Sequence, residues 1–484
     1  MNLKNASKET LSEEFDIHGA LEELLNSIDL SSRDAGGNIE ILGADPIFQS
    51  RYRIAACIAI PMMGAAVGAA AVWRMRTGRG QNLSIDLRKA IHGVNPLYKF
   101  KPTINGYAYQ MPYSQGNHML FDLYMTKDGR WVLPTGAYPH MTAEWCALLR
   151  CSHEKASIAN GIAKWDALEL DEAAAENNMI FAVCRSEEEW ANHPQGKFLA
   201  SKPLVEIEKI ADSDPEPFVP AERPLSGVKM LSATHVIAGN VVCRTLAEQG
   251  AEVLQISHPQ EFEHEALALD PVVGHRSAWL DLKSPEGNKK GHALAARADV
   301  FVDSYRARSM SNLGFSPQEL AARRPGIIYC SIRCYGYDGP WANRGGFDME
   351  ALCVSGFTFN EGTPDRPKLP PTYVMNDYIA GYLGAAGVTA ALIRRAREGG
   401  SYHVKICLTR NAMWYPTLGL FRRGDLDMSG ERHKLLAPDT IVKKTPYGEL
   451  MRLAPAVNFS ETTARWNDPV VTVRGSCKPE WLPT

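Results

Sequence analysis

The sequence predicts an α/β protein: a doubly wound parallel sheet joined to a smaller α+β part. Three observations carry that prediction. From residue 227 onward, short apolar runs alternate with amphipathic runs across short connections, as strands and helices do in a parallel sheet. Ahead of them stands "DSDPEPFVPAERP" (212–224), Pro-rich and acidic, which reads as a linker. The third is an internal repeat: "RTGRGQNLSIDL" (76–87) aligns with "REGGSYHVKICL" (397–408) at a constant offset of 321, each after an Ala/Gly-rich helix.

The elements follow in order. "ALEELLNSI" predicts an early helix. "IAACIAIPMMGAAVGAAAVW" (54–73) is uncharged and long enough to cross a bilayer. It is mostly Ala, Gly and Met, which gain little in lipid, so a closely packed core helix is the expectation. "GNHMLFDLYMTKDGRWVLP" predicts two short strands around the turn Lys127-Asp128-Gly129, and amphipathic helical stretches follow. After the linker come the strand "GVKMLSA", the helix "NVVCRTLAEQG" with Gly250 as C-cap, and the strand "AEVLQIS". The helix "KSPEGNKKGHALAARA", the strand "DVFVDSY", the helix "SPQELAARRP" and the strand "GIIYCSIRCYG" complete the series.

Composition narrows the function. The 484 residues exceed one ordinary core, and 45% hydrophobic with 22% charged is a globular balance. A net charge of −3 recruits neither nucleic acid nor an anionic membrane. Ten scattered cysteines without a CxxC pair suit free thiols in a reducing cytoplasm, and no metal is expected. The polar start "MNLKNASKETLSEEFD" lacks the apolar region of a signal peptide. A Rossmann-like sheet raises the question of a dinucleotide. But the first β-α turn, "SATHVIAGN", holds one glycine, Gly239, and the second strand ends at Ser257 where an NAD site wants an acid.

One acid stands out. Asp377 opens "NDYIAGYLGAAGVTAAL", and Gly381, Gly384 and Gly387 follow at three-residue steps on roughly one helix face. At a helix start the N–H groups and the dipole favour an ionised carboxylate, which can act as a nucleophile toward an activated acyl group. The glycines would let another backbone or a ligand approach closely. A plain capping acid with packing glycines is the competing reading. In the first repeat copy Ala56 takes the place of Asp377.

The stretch 223–412 resembles the family III CoA-transferases, the carnitine-type and formyl-CoA-transferase-like (CaiB/BaiF) proteins. The pieces that carry the resemblance are "PLSGVKMLSATHVIAGNVVCRTLAEQGAEVLQI", "LDLKSPEG", "ARADVFVDSYRARSMSNLGFSPQELAARRPGIIYCSIRCYGYDGPW", "GGFDMEALCVSG" and the Asp377 motif, in that order. The resemblance implies coenzyme A as the carrier, an acyl-CoA and a small carboxylic acid as partners, and Asp377 as nucleophile. Asp377 would form a mixed anhydride and then an enzyme–CoA thioester.

It sets His235, Ile237 and Ala238 of the first β-α loop, His258, Lys283, Arg306, Arg308 and Asp348 against CoA or substrate. In the loop Ser304-Tyr305-Arg306-Ala307-Arg308, Arg306 keeps the family's arginine, and Arg308 offers a second phosphate contact. Acyl-CoA racemases of the same family resemble "GHD" where this chain has Gly346-Phe347-Asp348, and Phe347 carries no proton; transfer is therefore favoured over racemisation. A CoA-binding protein without turnover is the third reading.

The rest resembles the same family out of order. Residues 1–222 look like its second half with the small domain, 223–425 like the CoA-binding domain, and 426–484 like its closing segment. Family members form interlocked dimers, so an intertwined homodimer is implied.

Overall fold

A computed structural model describes residues 15–95, 99–108, 116–264, 270–306, 308–424 and 426–483. The N-terminal residues 1–14 and Ala307 lie outside the described residues.

Six parallel strands form the centre: β1 (Lys229–Ala233), β2 (Glu252–Ser257), β3 (His275–Trp279), β4 (Val300–Asp303), β5 (Ile328–Arg333) and β6 (Ser401–Cys407). They lie in the order 3-2-1-4-5-6, and Val205–Ala211 adds a seventh strand antiparallel to β6. That is the order of a doubly wound sheet. Helices on its faces bury the strands, which explains their near-continuous apolar runs. β4 is buried at all four residues. From β1 the chain winds outward through β2 and β3, then returns to lay β4 on the other side of β1. This switch point opens a crevice at the carboxyl ends of β1 and β4.

The strand Val205–Ala211 precedes the Pro-rich stretch, so the sheet draws on residues from before it. The smaller α+β part is also present. Tyr124–Met125, Trp131–Pro134 and Phe181–Val183 make a three-stranded sheet, and Trp145, Ile158, Ile162 and Leu170 belong to its own buried core.

The repeat is structural. Ile54–Thr77 and Met375–Glu398 are both 24-residue helices, and their bounds differ by the same 321 residues at each end. Each is preceded by a strand and an aspartate and followed by a strand. Ile39–Leu42 pairs in parallel with Leu83–Asp86 as β5 pairs with β6. Asp45 accepts the N–H groups of Ala55 and Ala56 at 3.1 and 2.8 Å. Asp348 accepts the N–H of Asp377 at 2.7 Å. The two long helices pack on each other; a Cβ on Gly68 would overlap the Thr389 side chain. The apolar helix Ile54–Thr77 is therefore core, with its most apolar window wholly buried.

The C-terminal hairpin Thr440–Thr445/Gly448–Leu453 pairs with Thr103–Ile104. It is tied to the sheet through a buried carboxylate. Asp270 receives Arg244, from the helix Ala238–Ala247, and Arg452, from the hairpin, at 2.5 and 2.9 Å. Breaking such a fully paired buried triad would strand a charge, at about 3–5 kcal/mol.

Candidate active site

Three buried carboxyls converge near the switch point. Asp348 and Glu350 sit in the first turn of the helix Asp348–Val354. Asp377 sits in the first turn of Met375–Glu398 and is 6% exposed. One Asp348 oxygen accepts the Asp377 N–H, while the other is buried without a partner among the described atoms. Glu350 accepts the Thr135 hydroxyl and the Phe347 N–H, the latter at 2.8 Å.

Burial, reinforced by Glu350, pushes the Asp377 carboxyl up to about 7. Burial also raises Asp348, with Asp377 adding repulsion, and raises Glu350. The expectation that the helix start would favour the Asp377 anion is thus corrected. The N–H group of Asp377 itself serves Asp348, and desolvation beside other carboxyls outweighs the dipole. The acid is held near the point of ionisation at neutral pH.

Asp377 lines two cavities at once. The first, about 560 Å³, is the switch-point crevice, walled by the loops after β1 and β4 and by Arg306, Arg333 and Arg344. The second, about 350 Å³, lies toward the small domain, between Phe121, Tyr138, Met349 and Tyr373. Tyr138, Val236, Ile237, Phe347 and Asp377 belong to both linings. A carboxylate placed between a crevice that holds three arginines and an apolar chamber can meet a carbonyl carbon whose two substituents point opposite ways.

The expected residues divide into two groups. His235, Ile237, Ala238 and Arg306 line the crevice, and Asp348 lines the chamber. The His235 N–H reaches Ser304 Oγ at 3.2 Å, which ties the loops after β1 and β4 together. Arg306 donates to the Asn178 carbonyl at 3.0 Å. His258, Lys283 and Arg308 line neither cavity. The His258 ring lies 3.7 Å from Asp281, and the Lys283 backbone N–H caps the same carboxylate at 2.8 Å. Lys283 and Arg308 are exposed.

The glycines do not face a ligand. Cβ atoms on Gly381 and Gly384 would run into Val241 and Val242 of the helix Ala238–Ala247, and one on Gly387 would meet Val404 of β6 and Val205. The thin face seats the long helix on protein.

Sequence reasoning missed several lining residues. Glu350 lies two residues after Asp348 in "GGFDMEALCVSG", where no local pattern marks it as part of a site. Val236 is β-branched yet has φ +58, in the left-handed region, a strain of about 1–3 kcal/mol. Glu263 holds it there by accepting its N–H at 2.9 Å. Tyr138 and Phe121 come from the small domain, which no local pattern connects with Asp377.

A doubly wound sheet with a carboxylate at its switch-point crevice is the class that fold and site define. Residues 225–442 match the family model described as CoA-transferase family III. It is 28% identical over 351 residues to an acetyl-coenzyme A transferase of Hypoxylon pulicicidum, covering 66% of this chain and 59% of the relative. To a succinyl-CoA:glutarate CoA-transferase of Homo sapiens it is 32% identical, covering 37% of this chain and 43% of the relative. A crystal structure of a CAIB/BAIF family protein from Brucella suis aligns at 27% identity with a TM-score of 0.37, over 40% of this chain and 55% of the other. The chain spans about half the length of the curated relatives it matches.

Proposed function

We propose that the protein transfers CoA from an acyl-CoA to a carboxylic acid, with Asp377 as the covalent carrier. The observation that carries this reading is the position of Asp377 on both cavity walls, within a segment that matches the CoA-transferase family. An Asp377 carboxylate oxygen attacks the thioester carbon. The C–S bond breaks, CoA leaves as thiolate, and a mixed anhydride remains. The thiolate then attacks the aspartyl carbonyl, the donor acid departs as carboxylate, and an aspartyl–CoA thioester forms. The acceptor carboxylate attacks that thioester, its C–S bond breaks, and CoA leaves again as thiolate to give a second anhydride. Returning thiolate attacks the acceptor's carbonyl, which releases the new acyl-CoA and restores Asp377.

In this scheme Asp348 holds the Asp377 backbone, Arg306 offers its cation to the phosphates of CoA, and His235, Ile237 and Ala238 border the carrier's path. His258, Lys283 and Arg308 would serve only a part of CoA extending beyond the crevice. Phe347 stands beside Asp377 with no proton to exchange, which supports transfer over racemisation. The proposal extends to an intertwined homodimer in the cytoplasm, supported by the resemblance and, for the location, by ten cysteines without a disulfide.

Incubation with an acyl-CoA donor and no acceptor, followed by hydroxylamine, should convert Asp377 to its hydroxamate, read by peptide mass spectrometry. Asp377→Asn should abolish the adduct while binding of acyl-CoA persists. Transfer at a near wild-type rate by freshly made Asp377→Asn protein would remove Asp377 from this role.

A further inference from the structure

The chamber beyond Asp377 differs in chemistry from the crevice. Its walls include Leu120, Phe121, Phe347, Met349, Tyr373 and Val374. The Phe121 and Tyr373 rings lie 4.7 Å apart, tilted by 40°. Polar groups on the wall are already engaged by the protein. The Asn95 amide donates to the Thr372 carbonyl at 2.7 Å, the Thr135 hydroxyl donates to Glu350, and a His264 ring nitrogen lies 2.7 Å from the Ala137 carbonyl. Among the described lining residues Lys101 is the one Lys or Arg, and its side chain is exposed. Against it stand three buried carboxyls, Asp348, Glu350 and Asp377.

A ligand carboxylate buried here would lose its hydration to aromatic walls with no buried Lys or Arg among the described lining residues to pair it. An apolar chain or ring would bury its surface at a gain of about 25 cal/mol per Å².

We infer that the acyl group carried by this protein is apolar, aliphatic or aromatic, and has no second carboxylate. This rests on the acyl-CoA reading above. It separates the chain from relatives whose names specify succinyl-CoA with glutarate or L-malate.

The test uses Asp377→Asn, so that binding is measured without turnover. Calorimetric titration with hexanoyl-CoA, phenylacetyl-CoA and succinyl-CoA compares three ligands that share one carrier. Hexanoyl- or phenylacetyl-CoA should bind about tenfold or more tighter than succinyl-CoA. Phe121→Arg in the same background should erase that preference, and Phe121→Leu should keep it. Equal affinity, or tighter binding of succinyl-CoA, overturns the inference. The expected preference in a wild-type protein that makes no product would leave the inference standing and sink the transfer mechanism. Failure of all three thioesters to bind would sink both.

Discussion

The Asp348 carboxylate accepts the backbone N–H of Asp377 at 2.7 Å, so one buried acid fixes the helix start that presents the other. Asp45 does the same for Ala55 and Ala56 in the repeat copy, where no acid follows. The capping aspartate is therefore present in both copies, and the acid facing the cavities in one.

That pair separates a fold contribution from a catalytic one. Asp45→Ala and Asp348→Ala should each lower stability by about 1–2 kcal/mol through the lost cap, read by denaturant titration. Only Asp348→Ala should also cut kcat, by about tenfold or more, because it loosens the Asp377 backbone. Equal kcat in the two variants would reduce Asp348 to a cap.

The raised Asp377 carboxyl gives activity a pH dependence. In the proposed mechanism attack needs the anion, and burial pushes the group up to about 7. kcat/KM should climb about tenfold per pH unit below that value and level off above it. A flat profile from about pH 5 to 7 would show that another step or group governs the rate.

Stability should run the opposite way. The folded carboxyl keeps its proton up to about 7, whereas an unfolded aspartate loses it near about 3.9. The folded state therefore binds more protons between those values. Its advantage is full below about pH 4 and is lost as pH rises through about 7. Asp377→Asn should exceed the wild type by at least about 1 kcal/mol at pH 8, with the gap closing toward pH 5. Parallel melting curves at the two pH values measure this, and an unchanged gap would refute the shift.

Two cations should behave differently. Arg306 lines the crevice and Lys283 does not. Arg306→Ala should raise KM for acyl-CoA by about tenfold, the loss of one charged contact. Lys283→Ala should change it by less than about threefold. Comparable increases would extend the carrier's path to Lys283.

The glycine face admits a packing test. On Gly381 a Cβ would lie 2.4 Å from Val241 Cβ, so Gly381→Ala should cost about 1–3 kcal/mol and leave KM unchanged. The readouts are the unfolding midpoint and steady-state kinetics. A KM change without a stability loss would place a ligand on that face.

The sequence by itself determined the sheet's class, most of its strands, the repeat with its offset, and Asp377 as the acid to watch. These are local signals: apolar runs of strand length, helical periodicity and a motif read along one stretch of chain. Two strands escaped. "HRSAW" (275–279) has no β-branched residue and becomes β3 through pairing with β2. "VEIEKIA" (205–211) alternates as a strand does, but only its partner β6 decides where it goes.

The tertiary structure decided the site. Glu350, Tyr138 and Phe121 meet Asp377 through chain segments far apart in sequence, and the small domain supplies one wall of the chamber. Burial, set by every segment packed around a group, reversed the expected ionisation of Asp377. It also turned three glycines from a possible ligand face into a seat for valines. Local pattern reports which way a chain folds. Solvent exclusion and charge proximity depend on what packs against what, and those quantities exist only once the chain has closed on itself.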